Sequence, residues 1–123
     1  MAAKILLVDD SAAIRHALRF CIETQTDCEV CGEAENGKAA VEMVQQLQPD
    51  VIILDLSMPV MNGLEAAKRI RMITPEPYIL LFTLQTYPQL VEDAQKAGIN
   101  RVLSKSTELS RTVVETLRSL PAA

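Results

Sequence analysis

A parallel α/β sandwich of five strands and five helices is the fold class this sequence predicts, on three observations. Short apolar runs recur five times, separated by stretches whose apolar residues repeat at helical spacing. Strands alternating with single helices imply βαβ units, hence a parallel sheet with right-handed crossovers and helices on both faces. Finally, Ile5-Leu6-Leu7-Val8 and Val51-Ile52-Ile53-Leu54 lack the alternation of a half-exposed sheet, as expected of central strands buried on both sides.

The first strand is predicted at Lys4 to Val8. Ser11, directly after an acidic pair, is a good N-cap for a helix whose apolar face carries Ile14, Ala17, Leu18, Cys21 and Ile22. Cys28 to Gly32 reads as the second strand. The second helix, with Ala40, Val41, Val44 and Leu47, follows Asn36-Gly37 and stops before Pro49. After the third strand, Val51 to Leu54, Pro59 fixes a turn, and Gly63 is expected to take a backbone conformation closed to other residues as the third helix starts. That helix carries Leu64, Ala67 and Ile70 and ends before Pro75. Tyr78 to Phe82 forms the fourth strand; Leu90, Val91, Ala94 and Ala97 line the fourth helix, with Gly98 as its C-cap. Arg101 to Leu103 is the fifth strand, and Leu109, Val113, Leu117 and Leu120 lead to Pro121. No linker, low-complexity tract or repeat divides the chain, so one domain over residues 1–123 is expected.

At 123 residues the chain is long enough to bury one core without disulfide or metal staples. Apolar residues make up 49% but aromatic ones only 3%, so that core must be aliphatic. A formal charge of −4, from 12 basic and 16 acidic side chains, gives no general attraction to nucleic acid or to an anionic membrane. No apolar run approaches the roughly 20 residues of a membrane span, and Met1-Ala2-Ala3-Lys4 lacks a secretory apolar region, so a cytoplasmic location is expected. Three cysteines, Cys21, Cys28 and Cys31, fit a reducing compartment. On a strand, Cys28 and Cys31 would face opposite sides, and a lone Cys-x-x-Cys lacks the second ligand pair of a zinc site, so both read as plain cysteines. His16, off the apolar face of its helix, reads as a solvated surface residue.

In an open α/β sheet ligands bind beyond the carboxyl ends of the strands. Asp9 and Asp10 end the first strand, Asp55 ends the third, Thr83 follows the fourth and Lys105 the fifth, so all five should converge on one edge. Each alone has a bland explanation as a helix cap, turn residue or solvated charge; their convergence does not. Three packed carboxylates repel unless a cation neutralises them, and Mg²⁺ prefers such oxygen-rich clusters. With Lys105 and the Thr83 hydroxyl, the set makes a place for an anion bound to metal, as phosphoryl transfer requires, and a carboxylate can be the nucleophile, giving an aspartyl phosphate.

Ile5 to Asp10, Val51 to Pro59, Asn62-Gly63, Leu80 to Thr83 and Leu103-Ser104-Lys105 together resemble the receiver domains of two-component response regulators, in order and across essentially the whole chain. The resemblance implies a flavodoxin-like (βα)₅ three-layer sandwich with strand order 2-1-3-4-5. It implies that Asp55 is the phospho-acceptor and that Asp10, Asp55 and the backbone carbonyl of Ser57 ligate Mg²⁺ directly, with Asp9 acting through a metal-bound water. Thr83 and Lys105 would contact phosphoryl oxygens. The donor would be a phosphohistidine on a sensor histidine kinase or phosphotransfer protein, and the chain would catalyse only its own phosphorylation and dephosphorylation. A phosphorylation-linked homodimer, a switching surface on the fourth helix, fifth strand and fifth helix, and no binding of nucleic acid or membrane by this domain alone are further implications. The wording around Met58-Pro59, Asn62-Gly63 and Lys105-Ser106 resembles receivers that precede helix-turn-helix domains, so the chain is either a stand-alone receiver or part of a longer regulator.

Three positions depart from that family. Val102 replaces the usual aromatic residue, so the ordinary coupling between threonine and ring is not available. Leu84 replaces a small residue after Thr83 and should narrow access to Asp55. Ser106 replaces a proline often joined by a cis bond; a cis bond without proline costs about 2.5–4 kcal/mol, so a trans bond is expected. Two other classes fit less well. A haloacid-dehalogenase-type phosphatase needs Asp-x-Asp after the first strand, where Asp9-Asp10-Ser11 stands. A flavin binder needs a hydroxyl- and glycine-rich phosphate loop there, and Asp9-Asp10 would repel the phosphate.

Overall fold

In the computed structural model, which describes residues 3–84, 86–106 and 108–120, the apolar runs form β1 (Lys4–Val8), β2 (Glu29–Ala34), β3 (Val51–Asp55), β4 (Tyr78–Thr83) and β5 (Arg101–Ser104). The intervening and final helices are α1 (Ala12–Gln25), α2 (Gly37–Leu47), α3 (Gly63–Ile73), α4 (Leu90–Lys96) and α5 (Leu109–Ser119). All strand neighbours are parallel, in the expected order β2-β1-β3-β4-β5. Because successive strand side chains point to opposite faces, each central strand feeds two cores. Ile5, Leu7, Ile53, Leu80 and Phe82 pack with Leu18 and Ile22 of α1 and Val113 and Leu117 of α5. Leu6, Val8, Ile52, Leu54 and Leu81 pack with α2, α3 and α4. Each fully buried Leu or Ile contributes about 1.5–3 kcal/mol.

Three helix starts are capped, the first by Ser11 as expected and the next two by the asparagines of the Asn-Gly turns. Ser11 Oγ accepts from the Ile14 N–H at 3.3 Å, Asn36 Oδ1 from Ala39 at 2.8 Å, and Asn62 Oδ1 from Glu65 at 2.9 Å. In contrast, α4 has only seven residues and no side-chain cap.

Several expectations need correction. Ile5 pairs with Val30 but Leu6 with Gly32, so Cys31 is an extra residue in a bulge and β2 runs on to Ala34. Cys28 precedes the strand and packs toward the α1 and α5 layer, so the opposite-face argument does not apply to the cysteine pair; all three thiols are free. Ala17 is exposed, as is Val91, because each lies about 100° around its helix from the inward-facing Leu18 and Leu90. Gly63 does not lie in the left-handed region; that conformation falls on Val60 at φ 70°. Glycine is needed at 63 because a Cβ would strike the carbonyl oxygen of Asp55, α3 beginning hard against the end of β3. Gly98, at φ 85°, does end α4 as expected. No described peptide bond is cis, Lys105–Ser106 included. Among the described residues no helix is long and apolar enough to cross a membrane.

Candidate functional site

The carboxyl ends of β1, β3 and β4, with the residue after β5, bring the five predicted residues to one edge. Asp9 leaves β1 with its N–H donated to the Ala34 carbonyl at 3.0 Å, and its Oδ1 accepts from the Ser11 N–H at 2.8 Å. That arrangement buries Asp9 to 1% exposure, while the next residue, Asp10, is exposed. Asp55 ends β3 at 3% exposure. Its Oδ1 accepts weakly from the Ser57 N–H at 3.4 Å, and its Oδ2 faces Lys105 Nζ at 3.5 Å. Carboxylate oxygens of Asp9, Asp10 and Asp55 all lie within 4.8 Å of one another.

Lys105 is drawn in by its backbone, whose N–H donates to the Thr83 carbonyl at 2.7 Å. Its ammonium lies 3.1 Å from Asp9 Oδ2 and 5.3 Å from the centre of the Phe82 ring, close enough for a cation–π contact. Thr83, at 4% exposure, lies beside it on the wall of a cavity of 570 Å³. Asp10, Asp55, Ser57, Leu84 and Lys105 share that wall. Leu84 lines the cavity, and 77% of it faces solvent. Val102 is half-buried and packs toward the α2 to α4 layer.

Three carboxylates face one ammonium here. Burial pushes the Asp55 carboxyl above its ordinary range and the charge of Asp9 pushes it further, while Lys105 and the Ser57 N–H pull it back. Asp9 Oδ2 is buried without a hydrogen-bond donor; its partner is the Lys105 ammonium, as an ion pair. Excess negative charge, a buried oxygen held by an ion pair alone and an all-oxygen donor set suit a hard divalent cation such as Mg²⁺.

Sequence reasoning found every charged member of this edge but missed Phe82 beneath Lys105, and Asn62 and Tyr87 on the cavity wall. Asn62 signalled only a turn, and an aromatic residue inside an apolar strand signals only core.

The model of the response regulator receiver domain matches residues 5–116. Chemotaxis protein CheY of Thermotoga maritima is 39% identical over 120 residues, which is 98% of each chain. Transcriptional regulatory protein YdfI of Bacillus subtilis is 40% identical over 114 residues, 93% of this chain and 53% of its own length. The chain thus spans about half of that regulator, and 23% of a Methanococcoides burtonii protein-glutamate methylesterase to which it is 49% identical over 81 residues. Among solved structures, Vibrio cholerae chemotaxis protein CheY4 superposes with a TM-score of 0.88 at 32% identity, covering 98% of this chain and 100% of that one.

Proposed function

The chain belongs to the response regulator receiver family, and from that premise we propose that it accepts a phosphoryl group on Asp55 from the phosphohistidine of a sensor histidine kinase or phosphotransfer protein. The observation that carries this reading is the Asp55 carboxylate, buried on its strand yet open to a cavity, between the Lys105 ammonium and an acidic pair.

In the reaction an Asp55 carboxylate oxygen attacks phosphorus, the O–P bond forms as the N–P bond breaks, and the donor imidazole, protonated on its other ring nitrogen, takes the N–P electron pair and leaves as neutral histidine. Asp10, Asp55 and the Ser57 carbonyl would hold Mg²⁺ directly, with Asp9 beneath them acting through a metal-bound water. Bound there, Mg²⁺ supplies charge neutralisation to the carboxylates and to the phosphoryl oxygens. Lys105 pairs with one phosphoryl oxygen and the Thr83 hydroxyl donates to another, drawing the end of β4 toward the new group. Phosphorylation then biases the surface of α4, β5 and α5 between two arrangements, read by a partner protein, a second copy or an output domain outside residues 1–123.

The test is intact mass after incubation with Mg²⁺ and acetyl phosphate. A metal-dependent gain of one phosphoryl group, lost in Asp55→Asn, is expected. No gain from acetyl phosphate or from a phosphorylated kinase would sink the reading.

A further inference from the structure

Beside the acidic pair, α1 and β2 are joined by a chain of charges that the proposed reaction does not use. Arg15 Nη1 donates to the carbonyl oxygen of Asp9 at 2.5 Å, while its Nε donates to Glu33 Oε1 at 2.9 Å. Glu33 Oε2 accepts from Arg19 Nη1 at 2.6 Å. Glu23 stands behind both, 3.4 Å from Arg19 and accepting from the Val30 N–H at 3.3 Å. Arg15 and Glu33 side chains are only 16% and 23% exposed, which sets them apart from the chain's surface ion pairs. Burial pushes the Glu33 carboxyl up, but hydrogen bonds from Arg19 and Arg15 outweigh it and hold the group below its ordinary range.

We propose that Arg15, held in place by Glu33, is a positioning residue for the metal site: by gripping the Asp9 carbonyl it sets the direction in which Asp10 presents its carboxylate. The inference rests on the reading that the acidic cluster takes Mg²⁺. Asp9 needs no such help, since its N–H, Oδ1 and Oδ2 are engaged by Ala34, Ser11 and Lys105. Asp10 is exposed, and among the described residues its side chain has no hydrogen-bond or ion-pair partner. The peptide joining the two is planar, so fixing the Asp9 oxygen also fixes the N–H and Cα of Asp10. Arginine suits the task because its rigid fork serves the carbonyl and Glu33 together, which a lysine ammonium on a flexible stem does not.

The test is Mg²⁺ titration of the intact chain, followed by calorimetry and backbone NMR shifts. Residues behind metal ligands typically influence affinity about 10–100-fold, and a loss at the lower end of that range is expected for Arg15→Lys, with a smaller loss for Glu33→Gln. Arg111→Ala, in a pair exposed on α5, should bind like wild type. Lysine keeps the charge, so Arg15→Lys binding Mg²⁺ as tightly as wild type would overturn the inference. A second readout separates positioning from general loosening: in an Asp10→Asn background, Arg15→Lys should add little further loss, whereas fully additive losses would overturn the inference. Should Arg15→Lys fail to fold, Glu33→Gln carries the same comparison. A wild type that does not bind Mg²⁺ removes the reading of the site itself; a wild type that binds while the variants match it removes only the role of Arg15.

Discussion

The two flanks of the site are anchored by different means. On the α1 and β2 side, Ser11 caps a 14-residue helix, Arg15 and Arg19 share Glu33, and Arg118 of α5 donates to the Gln25 carbonyl at 2.6 Å. Polar contacts there cross from one element to another. On the β4 and α4 side, a seven-residue helix without a side-chain cap follows a loop carrying the exposed Leu84 and Tyr87. Among the described residues, the side-chain polar contacts of α4 stay within its own segment, Tyr87 with Asp93 and Gln89 and Lys96 with Glu92. It is held to the sheet chiefly by Leu90 and Ala94. The acidic pair therefore rests on the braced flank, and Thr83 opens onto the free one. A site that must hold a cation steadily and then respond to a new anion gains from this division.

The largest expected effect tests whether both flanks serve one chemistry. Asp10→Asn on the braced side should weaken Mg²⁺ binding about 10-fold or more, read by calorimetry, while Leu84→Ala on the free side should leave that affinity unchanged. Leu84→Ala should instead shorten the acyl-phosphate lifetime and speed phosphorylation by acetyl phosphate several-fold, read by intact mass over time. An unchanged lifetime would show that Leu84 does not guard Asp55.

Amide hydrogen exchange addresses the mechanical contrast directly. Amides of α4 should exchange through local opening, at least about 10-fold faster than those in the middle of α1, which should approach the global unfolding limit. Equal protection would remove the distinction between the flanks.

Acid stability should separate the two sides by sign. Glu33 has its folded pKa depressed, so its contribution is fully present above the unfolded value near 4.5 and is lost as pH falls through the folded one. Glu33→Gln should therefore flatten stability against pH in the acid range. Asp55 has its folded pKa raised, so its contribution is fully present below the unfolded value and is lost as pH rises through the folded one. Without Mg²⁺ at neutral pH, Asp55→Asn should thus melt at a higher temperature than wild type. A destabilised Asp55→Asn would mean that its pairing with Lys105 outweighs burial. Smallest of all, Ser11→Ala should cost about 0.5 kcal/mol in denaturant unfolding, since the α1 cap bond it removes is long at 3.3 Å.

Much of this was legible beforehand for a common reason. Strand runs, caps at Ser11 and turns at Asn36 and Asn62 depend on residues close in sequence, and Asp9, Asp10, Asp55, Thr83 and Lys105 converge once parallel strands place their carboxyl ends together. What escaped depends on contacts between distant segments. Nothing near Gly63 announces the Asp55 carbonyl against which it packs, nothing near Val91 says that the sheet lies on the Leu90 side, and nothing in Cys28 to Gly32 shows that Cys31 bulges from the pairing with β1.

Alternation of apolar runs with helical stretches, together with the charges that end them, by itself determined the layered α/β architecture and the chemistry of its edge, because hydrophobic period and strand direction are local properties that add up. Only the tertiary structure decided how that edge is supported: which oxygen of Asp9 is held by an ion pair alone, that Lys105 lies over Phe82, and that an arginine one turn into α1, held by a glutamate on β2, reaches back to the acidic pair. Those facts depend on distances between side chains far apart in sequence, which are set when the two cores pack and not before.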